Sequence, residues 1–177
     1  MIGLLSAAAF LLGAAGAAKL VGPPGVSSAL ATARLPGAGR LPARIAGRIS
    51  GLIELAVAVA ALALGGRVGA ALIALGYAVL AALSIRLMSM ARGADCGCFG
   101  RPNRMNHWHT AVNLGYLLVG VAGMCRPAGT PAGLLADRPG IGVVSLLAAA
   151  SLAYLSYLLM TALADLLRLA ARLEVAR

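Results

Sequence analysis

Charge is scarce in this chain. Asp, Glu, Lys and Arg make up 11% of its 177 residues, where a soluble domain carries about a quarter. That excludes an ordinary water-soluble domain. Cysteine is also sparse: three thiols cannot all pair with one another, so a disulfide framework is excluded. No Lys or Arg precedes the first apolar run, Ile2 to Ala18. A cleavable signal peptide needs a basic segment there. The run is therefore read as a retained transmembrane helix, although Gly16-Ala17-Ala18 resembles a cleavage site. No basic helix is interleaved with aromatics and no nucleic-acid motif occurs, so the net charge of +10 does not point to nucleic acid. The Arg residues sit between apolar blocks, where they set membrane topology and meet anionic headgroups.

Hydrophobic residues make up 61% of the chain and come in long unbroken blocks. Such blocks belong in the bilayer. After Ile2–Ala18 they run from Ile49 to Leu64, Val68 to Ile85, His109 to Met124 and Ile141 to Leu163. The fold class expected is all-α: a polytopic membrane helical bundle of about five transmembrane helices. Gly65-Gly66-Arg67 is short enough to make the second and third blocks an antiparallel hairpin. Gly13 with Ala17, and Gly65 with Gly69, have the small-xxx-small spacing of closely packed helices. Val21 to Arg48 is rich in Pro and Arg, and reads as a basic loop in which Ser27 to Leu35 could form a short surface helix. Arg126 to Gly140 reads as a Pro/Gly-rich loop. Asp165, Arg168, Arg172 and Glu174 continue the period of the last helix as an interfacial tail.

The polar connection between the third and fourth blocks holds Asp95-Cys96-Gly97-Cys98-Phe99-Gly100. Two thiols at i and i+2 close a disulfide only as a tight ring, given usual Cα separations of about 4.4–6.8 Å. Gly97 eases that ring, and a strained disulfide is readily reduced. Arg92, Arg101 and Arg104 favour thiolate, while Asp95 opposes it. Three readings are open: a redox dithiol, a pair of metal ligands, and two inert cysteines in a turn.

Five crossings put the cysteine segment, the long first loop and the C-terminal tail on one side. Lys19 and Arg48 end their helices on that side, and Glu54 lies a little deeper. His107, Trp108 and His109 stand at the mouth of the fourth helix, with Asn113 one turn below His109. Cys125 falls at the opposite face. An acid inside a spanning helix costs about 3 kcal/mol at midplane and is a functional candidate by default. Its expected partner is Lys19, Arg48 or His109, and a structural ion pair is the bland alternative. His107 and His109 diverge by about 200° on a helix, so one of them faces the bundle unless the helix begins between them. Either can help deprotonate a thiol. With Cys96 and Cys98 they also offer a zinc or copper donor set of non-standard spacing. Met88 and Met90 add a weak copper signal. Trp108 marks the headgroup level, and Asn113 suits an interhelical hydrogen bond.

On these residues the chain resembles the MauE (methylamine-utilisation) family, within the DoxX-like group of redox-associated membrane proteins. The likeness spans roughly residues 5–125. It rests on a helix ending in Lys19, a second carrying Glu54 and, above all, the Asp95–Gly100 hexapeptide. The family often has Arg-Asn in the fourth helix, whereas here Val112 precedes Asn113. The resemblance implies a four-helix core, residues 1–125, followed by a loop, a fifth transmembrane helix and a basic tail over 126–177. It also implies a thioredoxin-like partner outside the cytoplasm, and a role in forming or maintaining disulfides in an exported client, as in methylamine dehydrogenase maturation.

The resemblance thus places the cysteines on the outer side of the cell membrane. Charge counting argues the reverse: of fifteen Lys and Arg only Arg67, Arg126 and Arg138 fall opposite the cysteine side, leaving twelve with it. Arg residues recruited to a reactive site or partner surface would distort that count. The leading reading is a membrane thiol–disulfide oxidoreductase using Cys96 and Cys98, with Glu54 and His107 or His109 handling protons. A quinone in the bundle could exchange the electrons. The alternatives are a copper or zinc protein using Cys96, Cys98, His107 and His109, and a non-catalytic assembly factor.

Overall fold

In hydrocarbon a backbone must satisfy its own N–H and C=O groups, so apolar blocks become helices. The computed structural model describes residues 1–22, 42–90 and 106–175, with the backbone alone at 43, 90, 163–165 and 167–175. Among these residues the chain forms helices α1 (Ile2–Val21), α2 (Ala43–Leu64), α3 (Gly66–Met90), α4 (His107–Cys125), α5 (Pro131–Asp137) and α6 (Pro139–Val175), and no strand. The all-helical polytopic bundle is as the sequence predicts. The cysteine segment with Asp95, the flanking Arg residues and the proposed surface helix at 27–35 lie outside the described residues.

Helix α1 is the centre of the bundle. It packs chiefly against α2 and α6, and also touches α3 and α4. Its Ala7, Ala8, Ala9, Leu11 and Leu12 are buried. The run of alanines lets neighbouring helices approach closely, which is how helices associate where lipid competes for every apolar contact.

The α2–α3 hairpin turns at Gly65 and Gly66, with φ of 57° and 55°, a left-handed conformation that favours glycine. A Cβ on Gly69 would lie 2.5 Å from the Ala61 carbonyl oxygen, so Gly69 forms the tight seam expected of it. The Gly13/Ala17 pair does not: Ala17 is exposed. The tight α1–α2 crossing falls one turn further on, at Gly16.

Among the described residues four helices carry stretches long and apolar enough to cross a membrane, at Ile2–Val21, Arg44–Leu64, Gly66–Ser89 and Pro139–Ala162. Helix α4 is less apolar because His107, His109 and Asn113 occupy its first turns. Yet it runs antiparallel beside α3 along its whole length. Thr110 pairs with Met88, Asn113 with Ser84, Tyr116 with Tyr77, and Gly120 and Gly123 abut Ala74 and Ala70. It therefore covers the depth that α3 covers, and its His109 and Asn113 are buried by neighbours.

Three boundaries differ from the sequence reading. Helix α2 begins at Ala43, so Arg44 and Arg48 belong to the helix and not to the preceding loop. Helix α3 continues through Arg86 to Met90. Within 126–140 the chain forms α5, whose cap Thr130 accepts from the Gly133 N–H at 3.0 Å through its hydroxyl. Pro131 then sits where proline starts a helix well. Helix α6 runs unbroken to Val175, past the apolar stretch.

Candidate functional site: a buried polar cluster at one end of the bundle

Two glycines bring the central helices into contact. A Cβ on Gly16 would lie 2.7 Å from the Gly51 carbonyl oxygen, and one on Gly51 would lie 2.7 Å from that of Gly16. At such separation the residues three positions on from each glycine meet. These are Lys19 and Glu54. The Lys19 ammonium donates to Glu54 Oε1 in a salt bridge, and the two residues are only 3% and 8% exposed. Pairing is what allows either charge to be buried. Of the three partners expected for Glu54, the fold selects Lys19; Arg48 is exposed on α2.

The pair is asymmetric. The Ser50 hydroxyl donates weakly to the same oxygen, Oε1, at 3.5 Å. Glu54 Oε2 is buried with no hydrogen-bond partner among the described residues. A carboxylate oxygen with free lone pairs is a site for a proton or a donor.

The second half of the cluster is built at the start of α4. Asn106 caps the helix: its Oδ1 accepts from the His109 N–H at 3.2 Å and faces His109 Nδ1 at 3.0 Å. Its amide nitrogen donates to the Met160 carbonyl of α6 at 3.2 Å. That second bond orients the amide, so the oxygen is what meets the imidazole and Nδ1 is the donor. In the neutral ring Nε2 then carries the lone pair. His109 is fully buried and Nε2 has no partner among the described residues. Since α4 starts at His107, both histidines are helical and diverge: His107 and Trp108 are exposed, His109 is inside.

Deeper in, the Asn113 amide donates to Ser84 Oγ at 3.0 Å, and Ser84 donates to the Leu80 carbonyl at 2.8 Å. Asn113 is the interhelical hydrogen bonder expected. The Tyr77 hydroxyl donates to the Ala8 carbonyl at 2.8 Å. Lys19, Tyr77, Asn113 and Met160 line one small pocket of about 20 Å³, room for a single water. Lys19 of the ion pair and Asn113 of α4 thus border one small space.

Of the residues singled out in the sequence, Lys19 pairs with Glu54 across α1 and α2, Lys19 and Asn113 of α4 line one small cavity, and His109 is buried one turn from Asn113 on the same helix. Tyr77, Ser84, Asn106 and the Gly16/Gly51 contact were not anticipated. Asn106 had a legible signal, an Asn before a helix start. Tyr77 and Ser84 had none beyond being polar tips within an apolar run. Cys96, Cys98 and Asp95 lie outside the described residues, but the connection that carries them leaves α3 and enters α4 at this end. Cys125 is exposed at the far end of α4. Among the described residues no three His, Cys, Asp or Glu side chains come together as a metal site. Met88 accepts from the Thr110 hydroxyl at 3.2 Å.

These features define a polytopic helical membrane protein with a charge pair and a histidine buried at one end. The model of the family described as methylamine utilisation protein MauE matches residues 2–126, and the chain belongs to that family. The match covers α1 to α4 and stops before α5 and α6. No curated protein and no solved structure matches the chain.

Proposed function

We propose that this protein exchanges thiols and disulfides with a thioredoxin-like partner, to form or maintain disulfides in an exported client. The observation that carries the reading is the buried Lys19–Glu54 pair of α1 and α2, with its unshared carboxylate oxygen, towards the end of the bundle where α3 ends and α4 begins. Exchange proceeds by thiolate attack on a disulfide sulfur. One of Cys96 and Cys98 attacks the partner or is attacked by it, and the other resolves the mixed disulfide. Each turnover moves protons on and off sulfur. Glu54 and His109 are the bases available at this end; of the two histidines, His109 is the one turned inward. Lys19 holds Glu54 in place. MauE membership supports a client in methylamine utilisation.

The test is a Cys98→Ser variant, which accumulates a covalent complex with a thioredoxin-like protein, resolved by reductant. A membrane-impermeant thiol reagent applied to intact cells reaches Cys96 if the loop is extracytoplasmic. Full function in a Cys96→Ser/Cys98→Ser protein would rule out exchange and leave a docking role.

The unpartnered Nε2 of His109 favours one other reading, a copper or zinc ion held by that nitrogen together with Cys96 and Cys98. Elemental analysis of the purified protein decides it: stoichiometric metal, lost in a His109→Ala variant, is the outcome required.

A further inference from the structure

Helix α6 turns Ala149, Ala153 and Met160 into the bundle, yet it is the least buried of the four apolar stretches. Along its uncovered side leucine recurs at every seventh residue: Leu152, Leu159, Leu166 and Leu173. Ala148, Leu155, Ala162 and Leu169 fall between them, at alternating steps of four and three. These are the a and d positions of one heptad repeat, and none of them is charged. Leu155 and Leu166 are 60% and 62% exposed, and Ala148, Leu152 and Ala162 are exposed too. Asp165, Arg168, Arg172 and Glu174 take positions outside the seam. The apolar stretch ends at Ala162 while the helix runs on to Val175. The seam positions 166, 169 and 173 therefore stand beyond the hydrocarbon.

We propose that this seam pairs with α6 of a second copy as a parallel two-stranded coiled coil, making the protein a homodimer in the membrane. The inference goes beyond the thiol-exchange reading and does not depend on it. A strict seven-residue repeat is the pattern of helices that supercoil around one another. Lipid can cover such a face inside the bilayer, but not the three leucine positions beyond it. A soluble protein can cover those three, but not the part of the seam in lipid. One repeat kept through both media calls for a helix that leaves the bilayer at the same depth, and a second α6 is such a helix. Copies inserted alike stand parallel about a two-fold axis along the membrane normal, so each seam position meets itself. In that pairing position g faces position e of the next heptad, which sets Ser151 against Ser156 of the partner subunit. The Ser151 hydroxyl is exposed within the apolar stretch and has no hydrogen bond among the described residues. Ser156 Oγ donates to the Leu152 carbonyl at 2.9 Å, so it accepts from the Tyr116 hydroxyl and keeps a lone pair. Each copy thus offers a donor where the other has an acceptor. Six seam leucines a side, at roughly 80 Å² apiece when covered, bury about 1,000 Å² in total, the size at which specific interfaces begin. The family match ends at residue 126, so this contact is an addition to the part of the chain that defines the family.

The test uses the full chain in its membrane, with Cys96, Cys98 and Cys125 replaced by serine and one cysteine introduced at a time. Under copper phenanthroline, Leu166→Cys and Leu173→Cys should each give a disulfide-linked homodimer. Arg168→Cys and Ala171→Cys, on the opposite side of the helix, should not. After extraction in mild detergent, light scattering should read a dimer for the parent chain and a monomer for Leu166→Glu. The melting temperature of the Leu166→Glu protein should be that of a single bundle with its core intact, because Leu166 is exposed on one chain. If that variant does not fold, the four cysteine variants carry the test alone. Equal cross-linking on both sides of the helix would overturn the proposal, since it reports random collision. So would a monomeric parent, a dimeric Leu166→Glu protein, or seam cysteines that link only to a different protein. The Cys-Gly-Cys pair is absent from every protein cross-linked, so the outcome does not turn on whether thiol exchange is correct.

Discussion

Lys19 and Glu54 meet because Gly16 and Gly51 do. Each charged residue sits three positions beyond a glycine whose missing side chain lets the α1 and α2 backbones touch. A charge pair this deep is secured by helix proximity, and helix proximity by two absent Cβ atoms.

Lys19→Met should therefore destabilise the fold by about 3 kcal/mol, because it strands a buried carboxylate. Adding Glu54→Met should recover most of that loss, since a well-packed apolar pair of similar volume is tolerated where a half-pair is not. Thermal unfolding in detergent measures both. The double variant should nevertheless be defective in thiol exchange. Full exchange activity would show the pair to be purely structural.

Gly16→Val or Gly51→Val should part the two helices, since either Cβ would press on the opposite carbonyl oxygen. We expect a fall in folded yield. Gly115→Ala, where a Cβ meets nothing within 4 Å, should stay within about 0.5 kcal/mol of the parent. Comparing detergent-extracted yields distinguishes packing from a general intolerance of glycine replacement.

His109→Ala and His107→Ala should differ sharply. The first empties a fully buried site and removes the ring that Asn106 orients. It should lower stability and slow alkylation of the Cys96/Cys98 pair. The second changes an exposed ring and should leave both near parental values. Equal effects on alkylation rate would contradict the assignment of the inward histidine as the working base.

Asn106→Ala removes the cap of α4 and its tie to Met160, at a cost of about 1–2 kcal/mol. Asn106→Asp keeps the capping oxygen but loses the donor to the Met160 carbonyl. It should fall between parent and Ala in a melting experiment.

Helix α4 is 19 residues long, or about 28 Å at 1.5 Å per residue. Proteins retaining only Cys96 or only Cys125 should accordingly label from opposite faces of the membrane with an impermeant reagent. Labelling from one face would mean that α4 does not cross.

Much of this protein could be read from its residues alone. Long apolar blocks must become helices in a bilayer whatever their tertiary partners, because backbone hydrogen bonding there is local. Five acids in the whole chain made a lone Glu54 within a span conspicuous before any contact was known. Caps and breaks were legible less well. Arg44 and Arg48 resembled loop residues because charge was taken to end the helix, yet a helix end at the interface carries charge readily. The Pro/Gly-rich stretch from Arg126 to Gly140 reads as loop, yet its Pro131 starts a helix.

Partner choice belonged to the tertiary structure. Nothing local in Glu54 distinguishes Lys19 from Arg48 or His109. Lys19 is its partner because one pair of glycines, out of 23 in the chain, forms the crossing. Nor does helical periodicity say which histidine turns inward until the first residue of α4 is fixed by its Asn106 cap. Spacing along the chain sets which residues can share a face. Contact between helices is a matter of shape summed over both surfaces, and that sum exists only once the bundle has assembled.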